Sequence, residues 1–206
     1  MTFNHNSAVL CSKIYSPLQG DFDAIYSNAA VTVGVKSVDG YLTLVFRGSA
    51  DKTDFINDFE AIPYLHPRFG NIHVGMWHGC QDMFFTLLPI LRKASAIRMT
   101  GHSLGGAHAA FMAGQCALAN IPVVSLSLFE PPRCSYQTFV DFLHKWVPNI
   151  LATCNGLDPV PLVPLTLADY PFVPIAPYTY LNAIPQGWEM INPIDYHSID
   201  LVITAL

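Results

Sequence analysis

Two hydrophobic periods alternate along this 206-residue chain. Val31 to Val38 and Tyr41 to Arg47 are strand-type runs that flank Asp39-Gly40, a dipeptide suited to a tight hairpin turn. Met76 to Ala94 changes to the helical period, with Pro89 expected to bend or end that helix. Ile97 to Thr100 then reads as a short strand, and Leu104 to Leu118 as a helix. Gly105, Gly106, Ala107, Ala109 and Ala110 give this helix a small face for close packing. Val123 to Phe129 and Ile150 to Cys154 are largely apolar runs of the kind found in strands buried on both faces. A short helical pattern closes the chain after His197. Strands alternating with helices, without linker or repeat, predict one α/β domain over residues 1–206: a mostly parallel central sheet with helices on both faces.

Composition narrows the picture. With 51% hydrophobic and 12% charged residues the chain can bury a sizeable core. Its net charge of −5 and its lack of a Lys/Arg cluster argue against a nucleic-acid partner. Mean hydropathy is high, at +0.34, yet no apolar stretch reaches the 18 or so residues of a membrane-spanning helix. Val160 to Tyr178 is apolar but is interrupted by prolines at 161, 164, 171, 174 and 177, and so reads as an extended loop. The first residues lack a basic segment followed by an apolar core, so a cytoplasmic location is expected. Five cysteines without C-x-x-C spacing read as buried thiols rather than a disulfide framework or zinc site. His73 and His78, five residues apart, do not share a helical face, and neither a metal nor another cofactor is expected.

The candidate chemistry centres on Gly101-His102-Ser103-Leu104-Gly105, set between the strand at 97–100 and the helix at 104–118. A G-x-S-x-G turn in that context presents a serine at the tip of a sharp elbow, where flanking glycines leave room for neighbouring backbone. The bland alternative is a serine that merely caps the helix. A serine nucleophile needs a base and an orienting carboxylate. Asp158, in the turn after the 150–154 strand, and His197, before the last helix, follow in the order Ser, acid, His. Glu130, at the end of the 123–129 strand, is the rival acid, and an ion pair with Arg133 would otherwise explain it. The backbone N–H of Leu104 is a candidate oxyanion donor, because it follows the nucleophile.

With these motifs in hand, the chain resembles the class 3 lipase family, an α/β-hydrolase branch, from about Tyr41 to Leu206. The segments that carry the resemblance are Leu44 to Ser49, His73 to Met76, Thr100 to Ala107, Phe129 to Arg133, and Asn155 to Pro159 with Asp195 to His197. The resemblance implies an α/β-hydrolase fold and a triad of Ser103, Asp158 and His197. It also implies a second oxyanion donor at Ser49, and a lid over Asp51 to Glu60. In that stretch Phe55, Ile56 and Phe59 oppose Asp54, Asn57, Asp58 and Glu60, a pattern that fits equally a mobile lid or a helix docked on the core.

The implied activity is carboxylic-ester hydrolysis through an acyl-enzyme, with a small-molecule ester or lipid as partner and transient contact with a lipid interface. Apolar walls at Val160 to Tyr178 and Leu181 to Trp188 favour an uncharged acyl group. Two alternatives stay open: a phospholipase A1 or other polar-lipid acyl hydrolase, and a catalytically idle lipid-binding protein on the same fold.

Overall fold

The computed structural model describes residues 3–49, 62–184 and 193–206. Helix α1 (Phe3–Lys13) is followed by strands β1 (Ala24–Ser27), β2 (Thr32–Val38) and β3 (Tyr41–Phe46). A small hairpin, β4 (Pro63–His66) and β5 (Gly70–His73), leads into the single turn α2 (Val74–Trp77) and then α3 (Cys80–Leu91). The chain continues as β6 (Ile97–His102), α4 (Leu104–Leu118), β7 (Val123–Phe129), α5 (Gln137–Trp146) and β8 (Ile150–Asn155). It ends with β9 (Tyr178–Leu181) and α6 (Ile199–Ala205).

Among the described residues, seven strands form one sheet in the order β1-β2-β3-β6-β7-β8-β9. The β1-β2-β3 end is antiparallel and the remaining pairings are parallel. Asp39, at φ 51, and Gly40, at φ 80, make the turn between β2 and β3, as their residue types predict. Parallel register aligns Phe46 with Gly101, His102 with Phe129, and Phe129 with Thr153. The residues that follow β3, β6, β7 and β8 therefore emerge along one edge of the sheet, where open α/β sheets gather their chemistry.

Side-chain alternation divides β6 between the two faces of the sheet. Ile97 and Met99 join the larger core under α3, α4 and α5, with Phe69, Phe111, Phe139, Leu126 and Leu128. Thr100 lies on the other face, its hydroxyl 3.3 Å from Cys11 Sγ of α1. There a smaller cluster of Ala8, Cys11, Ile14, Val45, Phe129, Ile199 and Val202 joins α1 and α6 to the sheet. All five cysteines are buried and free. No helix among the described residues is long and apolar enough to cross a membrane.

One helix boundary differs from the sequence expectation. The pattern from Met76 to Ala94 breaks at Gly79, which has φ 75, rather than at Pro89, which lies inside α3. Gly79 adopts a left-handed conformation that costs a glycine little. Pro89 falls in the last turn, where the missing N–H forfeits one bond near an end that would fray in any case.

Candidate active site

Ser103 joins β6 to α4 with φ 58 and ψ −134, a region an L-residue occupies only under constraint. The constraint is visible on both sides. Ser103 N–H donates to Phe129 O at 2.9 Å, and its carbonyl accepts from Gly106 N–H at 2.8 Å. A Cβ on Gly101 would strike the Gly105 carbonyl, and one on Gly105 would strike the Phe46 carbonyl. The two flanking glycines are therefore required by close approach of β3, β6 and α4. Although Ser103 precedes α4, its side chain makes no capping hydrogen bond among the described residues, which removes the bland explanation for this serine.

Asp158 and His197 come from loops at the ends of β8 and of the 3₁₀ turn Pro193–Tyr196. The His197 Nδ1–H donates to Asp158 Oδ2 at 2.8 Å, and Asp158 Oδ1 accepts from Val160 N–H at 2.9 Å. Both side chains are buried, at 1% and 3% exposure, so solvent screens their interaction little. Two features hold the loops together. Gly156, at φ 51, makes room for the Tyr196 ring, which lies where its Cβ would stand. The buried Asn155 carboxamide accepts from Ala183 N–H at 2.9 Å and donates to Ala183 O and Tyr196 O at 3.1 and 3.4 Å. The His197 ring stacks on that of His102, with centroids 4.7 Å apart, which brings it beside the residue that precedes Ser103.

A third group at this site, Glu130, is read from the sequence only as a rival acid to Asp158, and its partners are not foreseen. Glu130 has φ 52 and its carboxylate is fully buried. Arg133, which the alternative reading would pair with Glu130, donates instead to Thr166 Oγ1 at 2.7 Å and so ties down the 160–178 loop. Glu130 Oε2 lies 2.9 Å from His102 Nε2 and 3.4 Å from His197 Nδ1. On the far side of the His102 ring, Nδ1 is 2.8 Å from Tyr15 Oη. Tyr15 follows α1, in the first 40 residues, from which the sequence supports no functional inference. Burial raises the Tyr15 pKa, so its hydroxyl stays protonated. The His102 Nε2–H donates to the Glu130 carboxylate, while Nδ1 pairs with the Tyr15 hydroxyl. His102, Glu130 and His197 offer ligand-type atoms within 4.8 Å of one another, a closeness that these hydrogen bonds and ion pairs explain. Strand alternation held one hint: His102 shares a face of β6 with Thr100, the face that α1 covers.

The other predicted positions fall around the elbow. Leu104 is the first residue of α4. Gly48 packs against the Ser103 Cβ and the Tyr15 hydroxyl, and the half-buried Ser49 comes next in the chain. The 160–178 loop opens with a 3₁₀ turn, Val160–Leu162, and is anchored by buried Phe172, Ile175 and Ala176. Leu162, Leu165, Leu167 and Tyr170 are exposed along it. The lid stretch, Asp51 to Glu60, and much of Leu181 to Trp188 lie outside the described residues.

Comparison with known proteins identifies the family and the fold. A family model described as Lipase (class 3) matches residues 43–168, a stretch that holds Ser49, Ser103, Leu104, Glu130 and Asp158 but stops before His197. No curated protein matches the sequence significantly. Among solved structures, the chain is similar to a Rhizomucor miehei lipase propeptide complex, with TM-score 0.70 and 20% identity over 87% of this chain and 66% of that one. It is also similar to Rhizomucor miehei triacylglyceride lipase, with TM-score 0.68 and 20% identity over 86% of this chain and 77% of that one. A triacylglycerol lipase from Penicillium expansum gives TM-score 0.68 and 19% identity over 87% and 78%. At such identities the likeness is one of fold.

Proposed function

Since the chain belongs to the class 3 lipase family, we propose that it is a carboxylic-ester hydrolase that acts on uncharged acyl esters, lipid esters among them. The observation that carries this reading is the constrained Ser103 elbow beside the buried His197–Asp158 pair. In this reading His197 Nε2 takes the proton of Ser103 Oγ as the oxygen attacks the ester carbonyl. Asp158 holds the imidazole with Nδ1 protonated and stabilises the imidazolium that forms. The backbone N–H groups of Leu104 and Ser49 receive the developing oxyanion, each such donor contributing on the order of a hundredfold in rate. His197 then returns the proton to the leaving alkoxide. Water, activated by the same imidazole, releases the acyl group from Ser103.

The exposed leucines of the 160–178 loop support a substrate whose acyl part is apolar. The test is hydrolysis of p-nitrophenyl esters from C2 to C16 by wild type and Ser103→Ala, with long-chain esters below and above their solubility limits. Turnover that the substitution reduces by about 10³-fold or more is expected. Ester turnover equal in the two proteins, or absent from both, would reject the reading.

A further inference from the structure

We propose that Glu130 is a second carboxylate for His197, a positioning residue that lies beside the same Nδ1 as Asp158 and shares the charge of the imidazolium. The proposal rests on the hydrolase reading above. Its starting point is a fully buried carboxylate set beside two histidine rings. A fully buried carboxylate is costly unless it is paired with charge or hydrogen-bond donors. Glu130 Oε2 faces two histidines, and a histidine balances a carboxylate fully only when it is protonated. His102 lies between the Tyr15 hydroxyl, at 2.8 Å, and the Glu130 carboxylate, at 2.9 Å. His197 is the ring that gains a proton when Ser103 attacks. A distance of 3.4 Å is long for a hydrogen bond but well within ion-pair range, so Glu130 gains most from the transition state.

The backbone supports this placement. Glu130 has a left-handed φ of 52, with its N–H fixed to Thr153 O at 2.7 Å, which turns the side chain inward from the end of β7. His102 then holds the carboxylate from one side, and its stacked ring keeps His197 alongside. Cys154 on β8 senses both acids: its thiol is pushed up to about 12, first by burial and then by the charges of Asp158 and Glu130. The two carboxylates thus converge on one imidazole from β7 and from the loop after β8.

The proposal predicts coupling between the two acids. Asp158→Asn is expected to lose about 10- to 100-fold in kcat/KM rather than the roughly 10⁴-fold typical when a triad has a single acid. Adding Glu130→Gln to that variant should remove most of the remainder, whereas Glu130→Gln alone costs no more than about tenfold. A full loss of roughly 10⁴-fold in Asp158→Asn, or an equal effect of Glu130→Gln in both backgrounds, overturns it. The first of these requires no folded Glu130 variant. The downfield proton resonance of His197 Nδ1–H is a second readout, independent of turnover. It should persist in Asp158→Asn and vanish in the double variant. If wild type shows no Ser103-dependent turnover, the hydrolase reading fails while the resonance still decides whether Glu130 holds the imidazole; its loss in Asp158→Asn alone would sink the inference.

Discussion

The face of the sheet under α3, α4 and α5 buries Phe69, Phe111, Phe139, Met83 and Leu87, whereas the face under α1 and α6 buries few large apolar groups. The second face carries a relay of polar contacts instead: Cys11 with Thr100, Thr100 with Ser127 O, Tyr15 with His102, and His102 with Glu130. Strand β6 belongs to both, with Met99 on the first and Thr100 on the second. A dense apolar side can supply stability because hydrophobic burial is non-directional and grows with area. A buried hydrogen-bond relay adds little net stability but fixes donor and acceptor directions, which proton transfer requires. The elbow sits where the two meet.

The contrast is broken most strongly on the apolar side. Phe139→Ala should cost about 3–5 kcal/mol in urea unfolding, since Phe139 packs on Phe69, Phe111 and Gly114, while the kcat/KM of folded protein stays within about twofold. A change in kcat/KM larger than the change in stability would show that the two sides are not separable.

His108, in α4 on the same side, gives the next effect. Burial lowers its pKa from 6.5 to about 4. A depressed histidine pKa means that the folded state resists protonation. The stability it contributes is complete above about pH 6.5 and is lost as pH falls toward 4, at about 1.4 kcal/mol for each pH step of one within that window. Urea midpoints between pH 7 and 4 should therefore fall more steeply for wild type than for His108→Gln, and parallel curves would refute this assignment.

The smallest effect lies on the polar side and is kinetic. Tyr15→Phe removes one hydrogen bond to His102, for which about 0.5–1.5 kcal/mol is usual, or up to roughly tenfold in kcat/KM. It should leave stability within about 1 kcal/mol of wild type. A variant that is less stable yet equally active would make the relay structural only.

Much of the fold was legible in the chain. The hairpin around Asp39-Gly40, the strand from Val123 to Phe129 and the helix from Leu104 to Leu118 occur where their patterns predict, because each rests on local backbone preferences or on burial that repeats along one element. The break at Gly79 shows the limit of that logic, since a proline is read as the stronger interruption although its position in the last turn makes it tolerable. The site divides in the same way. Ser103 and its glycines announce themselves because the elbow is a local conformation. The Asp158–His197 pair was named by order and resemblance, while its 2.8 Å contact depends on Tyr196 seating over Gly156 and on Asn155 bridging two loops.

What the sequence alone determined was therefore the alternation of strands and helices, the α/β class that follows from it, and a serine in a turn with room for a strained backbone. Tertiary structure alone decided that Glu130 turns from Arg133 to two histidines, and that Tyr15, eighty-seven residues before His102 in the chain, completes their relay. Patterning of one residue against its neighbours encodes period and turn. Which polar groups share a buried space depends on how elements distant in sequence pack, and no local preference carries that information.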